Sequence, residues 1–204
     1  MDQHDFKFDF SMEGLFRGIA MSHMTTQRRF TVDEYEQMIE EGILKPNDRV
    51  ELIRGEIQEM SPIGDAHSAR LSRINFLLVM KTAGRAIVNP QLPIVLADSE
   101  PQPDFAVLRY RPDFYDEGKA RPGDVLLLIE ISNSTLEFDR EVKGLLYAEA
   151  GIPEYWIVNL VDHCLEVYRR PTPRGYKFVQ TLNAGDEVEI PGIGGQPMAV
   201  SEFI

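Results

Sequence analysis

Apolar residues recur at helical spacing in three stretches of the chain and in short alternating or unbroken runs between them. The first helical stretch, VDEYEQMIEEG, places Val32, Tyr35 and Ile39 on one face and stops at Gly42. Thr31, just before it, and Glu34 within it have the spacing of a capping box, in which hydroxyl and carboxylate each satisfy a free amide. RVELIRGEIQEM then alternates apolar and polar residues around Gly55, which predicts a strand pair or a bent strand. A second helix is expected from about Ala66 to Thr82, with Leu71, Ile74 and Leu78 as its buried stripe and Gly84 at its end.

Short strands AIVN, PIVLA and DFAVLRY follow, with Pro101, Pro103, Pro112 and Pro122 marking turns. VLLLIEIS, residues 125–132, is a near-continuous apolar run, the pattern of a central strand covered on both faces. A third helix is expected from about Asp139 to Ala150, with Val142, Leu145 and Leu146 facing the core and Gly151 and Pro153 beyond it. EYWIVN, CLEVYRR and YKFVQTL read as three further strands. The order predicts one α/β or α+β domain, a central mixed β-sheet flanked by helices.

Composition narrows the class. The chain has 204 residues, 43% of them hydrophobic, enough for a single core that begins near residue 28. Residues 1–27 mix Phe6, Phe8 and Phe10 with acids and read as a poorly ordered extension, with Met21 or Met24 as alternative starts. No run approaches the roughly 20 apolar residues of a membrane span, and no signal-peptide pattern opens the chain, so a cytoplasmic protein is expected. The single cysteine, Cys164, excludes an internal disulfide and a cysteine-cluster zinc site. The net charge of −12 argues against tight non-specific binding to nucleic acid, since phosphate contacts need a basic face.

Three residues stand out chemically. Glu130 is a carboxylate within the buried run VLLLIEIS, costly unless paired, hydrogen-bonded or bound to metal. Asp104 follows Pro103 at the mouth of the FAVLR strand. Lys143 lies about 100° around its helix from Val142, with Tyr147 one turn on along the same side. Singly, each has a plain structural alternative: a salt bridge, a turn, a snorkelling surface lysine. Together, two carboxylates on neighbouring strands can hold a hard cation such as Mg²⁺ or Mn²⁺, and a nearby ammonium can orient water or offset phosphate charge. Trp156 and Tyr155 are assigned to the core or an interface, and His4, His23 and His163 form no recognisable ligand pair.

VELIRGEIQEMSP, the following His67, QPDFAVL, LLLIEIS and DREVKGLLYAEAGIPEYWIV carry a resemblance over residues 28–204. They resemble the Uma2 family of the PD-(D/E)XK superfamily. That resemblance implies a restriction endonuclease-like core and a metal-dependent endonuclease. It also implies Mg²⁺ or Mn²⁺ as cofactor, DNA as a weakly held partner and a homodimer. Asp104 matches the aspartate of the PD element and Glu130 the acid of the next strand; both would be metal ligands. The superfamily pattern puts lysine two places after that acid, where this chain has Ser132, so Lys143 would take its role from the next helix. Glu51 or Glu56 could add a further acid, Glu56 matching the family pattern more distinctively, and His67 would support the site. Two other readings are a non-cleaving binding or scaffold protein and a hydrolase of another phosphoester.

Overall fold

The computed structural model describes residues 28–204 except 46, 62 and 63. The N-terminal segment, expected as a loose extension, lies outside the described residues together with His4 and His23. Helix α1, Val32–Glu40, opens on the expected capping box: Glu34 N–H donates to Thr31 Oγ1 at 3.1 Å and Thr31 N–H to Glu34 Oε2 at 3.0 Å. Strands β1, Val50–Ile53, and β2, Glu56–Glu59, form an antiparallel hairpin, so the alternating segment is a strand pair. Its two-residue turn is Arg54-Gly55, both at positive φ (50° and 76°), the turn that matches strand twist. Gly55 has no substitute there, because a Cβ would come within 2.7 Å of Arg29 Cβ and 2.9 Å of the Phe30 carbonyl oxygen.

Helix α2, Asp65–Thr82, buries Ile74 and Leu78 completely. Six strands then build the central sheet: β3, Ala86–Pro90; β4, Phe105–Arg109; β5, Val125–Ser132; β6, Glu154–Asn159; β7, Cys164–Thr172; and β8, Gly175–Leu182. They lie in chain order, antiparallel throughout except where β5 runs parallel to β6. A parallel pair needs a crossover, and the third helix supplies it. That helical segment runs from α3, Leu136–Phe138, through a π-helical turn, Asp139–Lys143, into α4, Gly144–Glu149.

One expected strand is missing. PIVLA makes only a single bridge, Ile94 to Ala120, because the proline-punctuated stretch between β3 and β4 is tied to the hairpin and to loops. Two short strands that the sequence pattern did not reveal, β9 at Glu187–Val188 and β10 at Met198–Ala199, pair with each other.

Every residue of β5 is buried, as its unbroken apolar run predicts. Leu127, Ile129 and Ile131 join the core under α2, with Trp156 and Phe203. Leu128 packs on the other face with Tyr147 and Tyr155 from the crossover side. Alternation sends Glu130 and Ser132 to that second face, beneath the crossover helix.

Candidate active site

Phe105 of β4 pairs with Ile129 of β5, so the residues one step beyond, Asp104 and Glu130, meet at the same sheet position. Each binds the other's strand: Asp104 N–H donates to Glu130 Oε2 at 3.2 Å, and Ile131 N–H donates to Asp104 Oδ2 at 2.8 Å. The Pro103-Asp104 step thus holds its carboxylate against the middle of the sheet. The other Asp104 oxygen, Oδ1, lies 2.9 Å from His67 Nε2 on α2 and accepts from Gln91 Nε2 at 3.4 Å.

Lys143 arrives from the crossover. Its Nζ donates to Glu130 Oε1 at 3.1 Å and stands 3.2 Å from Glu51 Oε2 on β1. Tyr147, one turn later, donates its hydroxyl to the same Glu130 oxygen at 3.0 Å. Lys143, Glu130, Glu51 and Asp104 are all buried, at 5%, 5%, 5% and 8% exposure, which rules out a snorkelling lysine.

The π-helical turn is what carries the amine inward. An extra residue per turn rotates the following side chains, and such turns recur at functional sites. Here its first two residues are fastened. The Asp139 carboxylate accepts from Ser132 and Thr135 hydroxyls, each at 2.7 Å, and the Asp139 carbonyl accepts from Tyr155 OH at 3.1 Å. Arg140 makes a two-armed ion pair with Glu166 on β7. Ser132, two residues after Glu130, therefore anchors the turn that delivers Lys143.

These charges act on one another. Burial pushes the Glu130 carboxyl above the ordinary carboxylate range; Lys143 opposes the shift, while Asp139, Asp104 and Glu51 add to it. Burial works against the Lys143 ammonium, but Glu130, Glu51 and Asp139 outweigh it and hold the amine's pKa above its ordinary value. Lys143 is therefore a fixed positive charge. His67 is raised, first by its hydrogen bond to Asp104, against the opposing effect of burial.

The five expected site residues do not all meet. Asp104, Glu130, Lys143 and His67 line one cleft of about 540 Å³. Glu56 lies outside it, its carboxylate 3.4 Å from exposed Arg29, and Glu51 joins the cluster instead. The hairpin is the reason: Glu51 pairs with Gln58 on the strand position facing the cleft, while Glu56 sits beside the turn. Asp139, Gln91, Gln102 and Arg49 also line the cleft, and nothing in the linear sequence marked them. Tyr147 was legible, as the residue four after Lys143.

Among the described residues, no three His, Cys, Asp or Glu side chains stand arranged as a metal site. The donor chemistry still fits a hard divalent cation. Burial first, and then the neighbouring acids, lift Glu130, and Lys143 already occupies a cation's position between Glu51 and Glu130. Asp104 and Glu130 are the residues that would hold the ion, with water completing its shell.

A model of the Uma2 family, described as "Putative restriction endonuclease", matches residues 32–201. The chain belongs to the Uma2 family. This Uma2 protein is also similar in fold to a solved protein from Anabaena variabilis ATCC 29413, described as "a putative nuclease belonging to DUF820". The TM-score is 0.66 at 17% identity, over 85% of this chain and 97% of that one, which shows a shared fold. No protein of curated function matches the Uma2 chain. Among the described residues, no helix is long and apolar enough to cross a membrane.

The raised His67 gives a pH prediction for the metal-free protein. A folded pKa above the unfolded value, ~6.5, adds stability that is complete below ~6.5 and is lost as pH rises through the folded value. Asp104→Asn should return the His67 NMR titration toward its ordinary position. Below pH ~6 the variant should melt lower than wild type, having lost the charged pair. At higher pH it should melt at the same temperature or higher, because repulsion among the acids is relieved. Melting far below wild type across the whole range would mark Asp104 as a purely structural partner.

Proposed function

We propose that this chain is a Mg²⁺- or Mn²⁺-dependent DNA endonuclease, hydrolysing phosphodiester bonds in the cleft of Asp104, Glu130 and Lys143. The observation that supports this reading above all is the convergence of the two carboxylates from β4 and β5 with a buried ammonium from the crossover. A divalent ion held by Asp104 and Glu130 would supply charge to polarise a phosphoryl oxygen and lower the pKa of a bound water.

The chain's own groups divide the remaining work. Lys143, kept protonated by its three acidic neighbours, is a donor and not a general base: its Nζ protons can orient the attacking water or offset charge growing on the phosphate. Glu51 and Glu130 hold that amine, with Gln102 N–H fixing Glu51 Oε2 at 3.0 Å. His67 and Gln91 keep the Asp104 carboxylate oriented.

The net charge of −12 favours a second reading, a binding or scaffold protein that keeps the fold without cleaving. Plasmid and single-stranded DNA are incubated with the full chain in Mg²⁺, in Mn²⁺ and in chelator, beside calorimetric titration of each metal. Metal-dependent strand scission supports the nuclease. Binding of metal or DNA without scission on any substrate supports the scaffold, and sedimentation of the same samples tests whether two copies pair.

A further inference from the structure

A second cleft, of about 490 Å³, adjoins the candidate active site, and Arg49, Met60, Gln91 and Gln102 line both. Their charges are opposite. Five acids line the first cleft against Arg49 and Lys143, whereas Lys45, Arg49 and Lys119 line the second against Glu100 alone. An acidic cleft suits a cation and a basic one a phosphate, and in so acidic a chain this local cationic group is distinctive.

Glu100 is only 3% exposed. Its Oε1 accepts from Lys119 Nζ at 2.6 Å, but Oε2 is the one buried side-chain nitrogen or oxygen without a hydrogen-bond partner among the described residues. A buried acceptor left unpaired is costly, and its presence points to a donor brought from outside. Around it Tyr35, Ile39, Leu44 and Pro93 give the cleft apolar walls. Apolar walls with a few fixed polar groups are what a flat heterocycle requires. Arg49, between the clefts, holds a left-handed backbone conformation (φ 48°) that is strained for a non-glycine residue, and such strain collects at binding sites.

We propose that this second cleft is a nucleobase subsite, seating the base of the nucleotide next to the phosphate at Asp104, Glu130 and Lys143. Glu100 Oε2 accepts an N–H from the edge of the base, and Arg49 holds the phosphate between the clefts. Lys119 donates to Glu100 Oε1 at 2.6 Å and to Glu36 at 2.9 Å, so it holds the first Glu100 oxygen and leaves Oε2 as the free acceptor. The placement of the reacting phosphate rests on the nuclease reading; the base-binding cleft does not.

The test titrates the full chain, in chelator, with the four deoxynucleoside 5′-monophosphates and with inorganic phosphate, following each by ligand-observed NMR. Nucleotides should bind more tightly than phosphate. Glu100→Gln keeps the shape, but Lys119 holds the amide oxygen and the NH2 donor takes the place of Oε2, so the preferred nucleotide should weaken by about tenfold and phosphate should be unchanged. Leu44→Trp, on the cleft wall, leaves Glu100 in the chain but fills the space and should exclude all four nucleotides, so a folding failure of one variant leaves the other to decide. Absence of nucleotide binding, or binding indifferent to both substitutions, overturns the subsite even where DNA is cleaved. Glu100-dependent binding in a chain that cleaves no DNA upholds the subsite and overturns the nuclease reading.

Discussion

Replacing Lys143 by alanine is expected to abolish cleavage and to lower the melting temperature sharply in chelator, with much of the stability restored by Mn²⁺. The amine lies between Glu51 and Glu130 at 3.2 and 3.1 Å, and all three groups are buried. Removing one member of a buried pair leaves charge without compensation, typically about 3–5 kcal/mol. In a domain of this size that corresponds to a fall on the order of 10 °C. A divalent ion then takes up the charge that Lys143 balanced, so metal affinity should hold or rise while turnover disappears, because an ammonium is no metal ligand and acts on the charge of the transition state. Calorimetry with and without Mn²⁺ and a cleavage assay on the same preparation check both halves. Retained cleavage in Lys143→Ala would remove the residue from the mechanism.

Glu130→Gln should separate from this cleanly: metal affinity and activity fall together, the affinity by at least about tenfold, or ~1.4 kcal/mol. The amide keeps an oxygen for the Asp104 N–H or for Tyr147 OH, and Glu51 still pairs with Lys143 at 3.2 Å, so the fold should persist. What it loses is the negative charge a hard cation requires. Unchanged Mn²⁺ binding in a folded Glu130→Gln protein would mean that the cation sits elsewhere.

Much of the fold was legible because local rules and tertiary packing agree. The capping box of α1, the apolar run of β5 and the strand EYWIVN came through as patterned, since each depends on residues close in sequence. PIVLA did not: β propensity cannot form a strand where no neighbouring strand offers a ladder.

The same division runs through the site. Asp104 and Glu130 were visible as a proline-fixed aspartate and a carboxylate in an apolar run, and Lys143 as a lysine on a flank that also carries Tyr147. Glu51 and Glu56 could not be separated in one dimension. Only the Arg54-Gly55 turn decides which carboxylate faces Lys143. Asp139 and Ser132, seven residues apart, meet because the chain turns back over β5 into a π-helical turn, a geometry with no sequence period of its own. Arg49 and Glu100 share the second cleft through the packing of hairpin, loop and α1. The order of helices and strands and the three principal charged groups could be read from the chain alone, because periodicity and buried charge are local signals. The parallel crossover from β5 to β6, the acids that gather around the lysine and the place where the second cleft opens emerge only on folding, because they depend on long-range approach between segments that the linear order leaves independent.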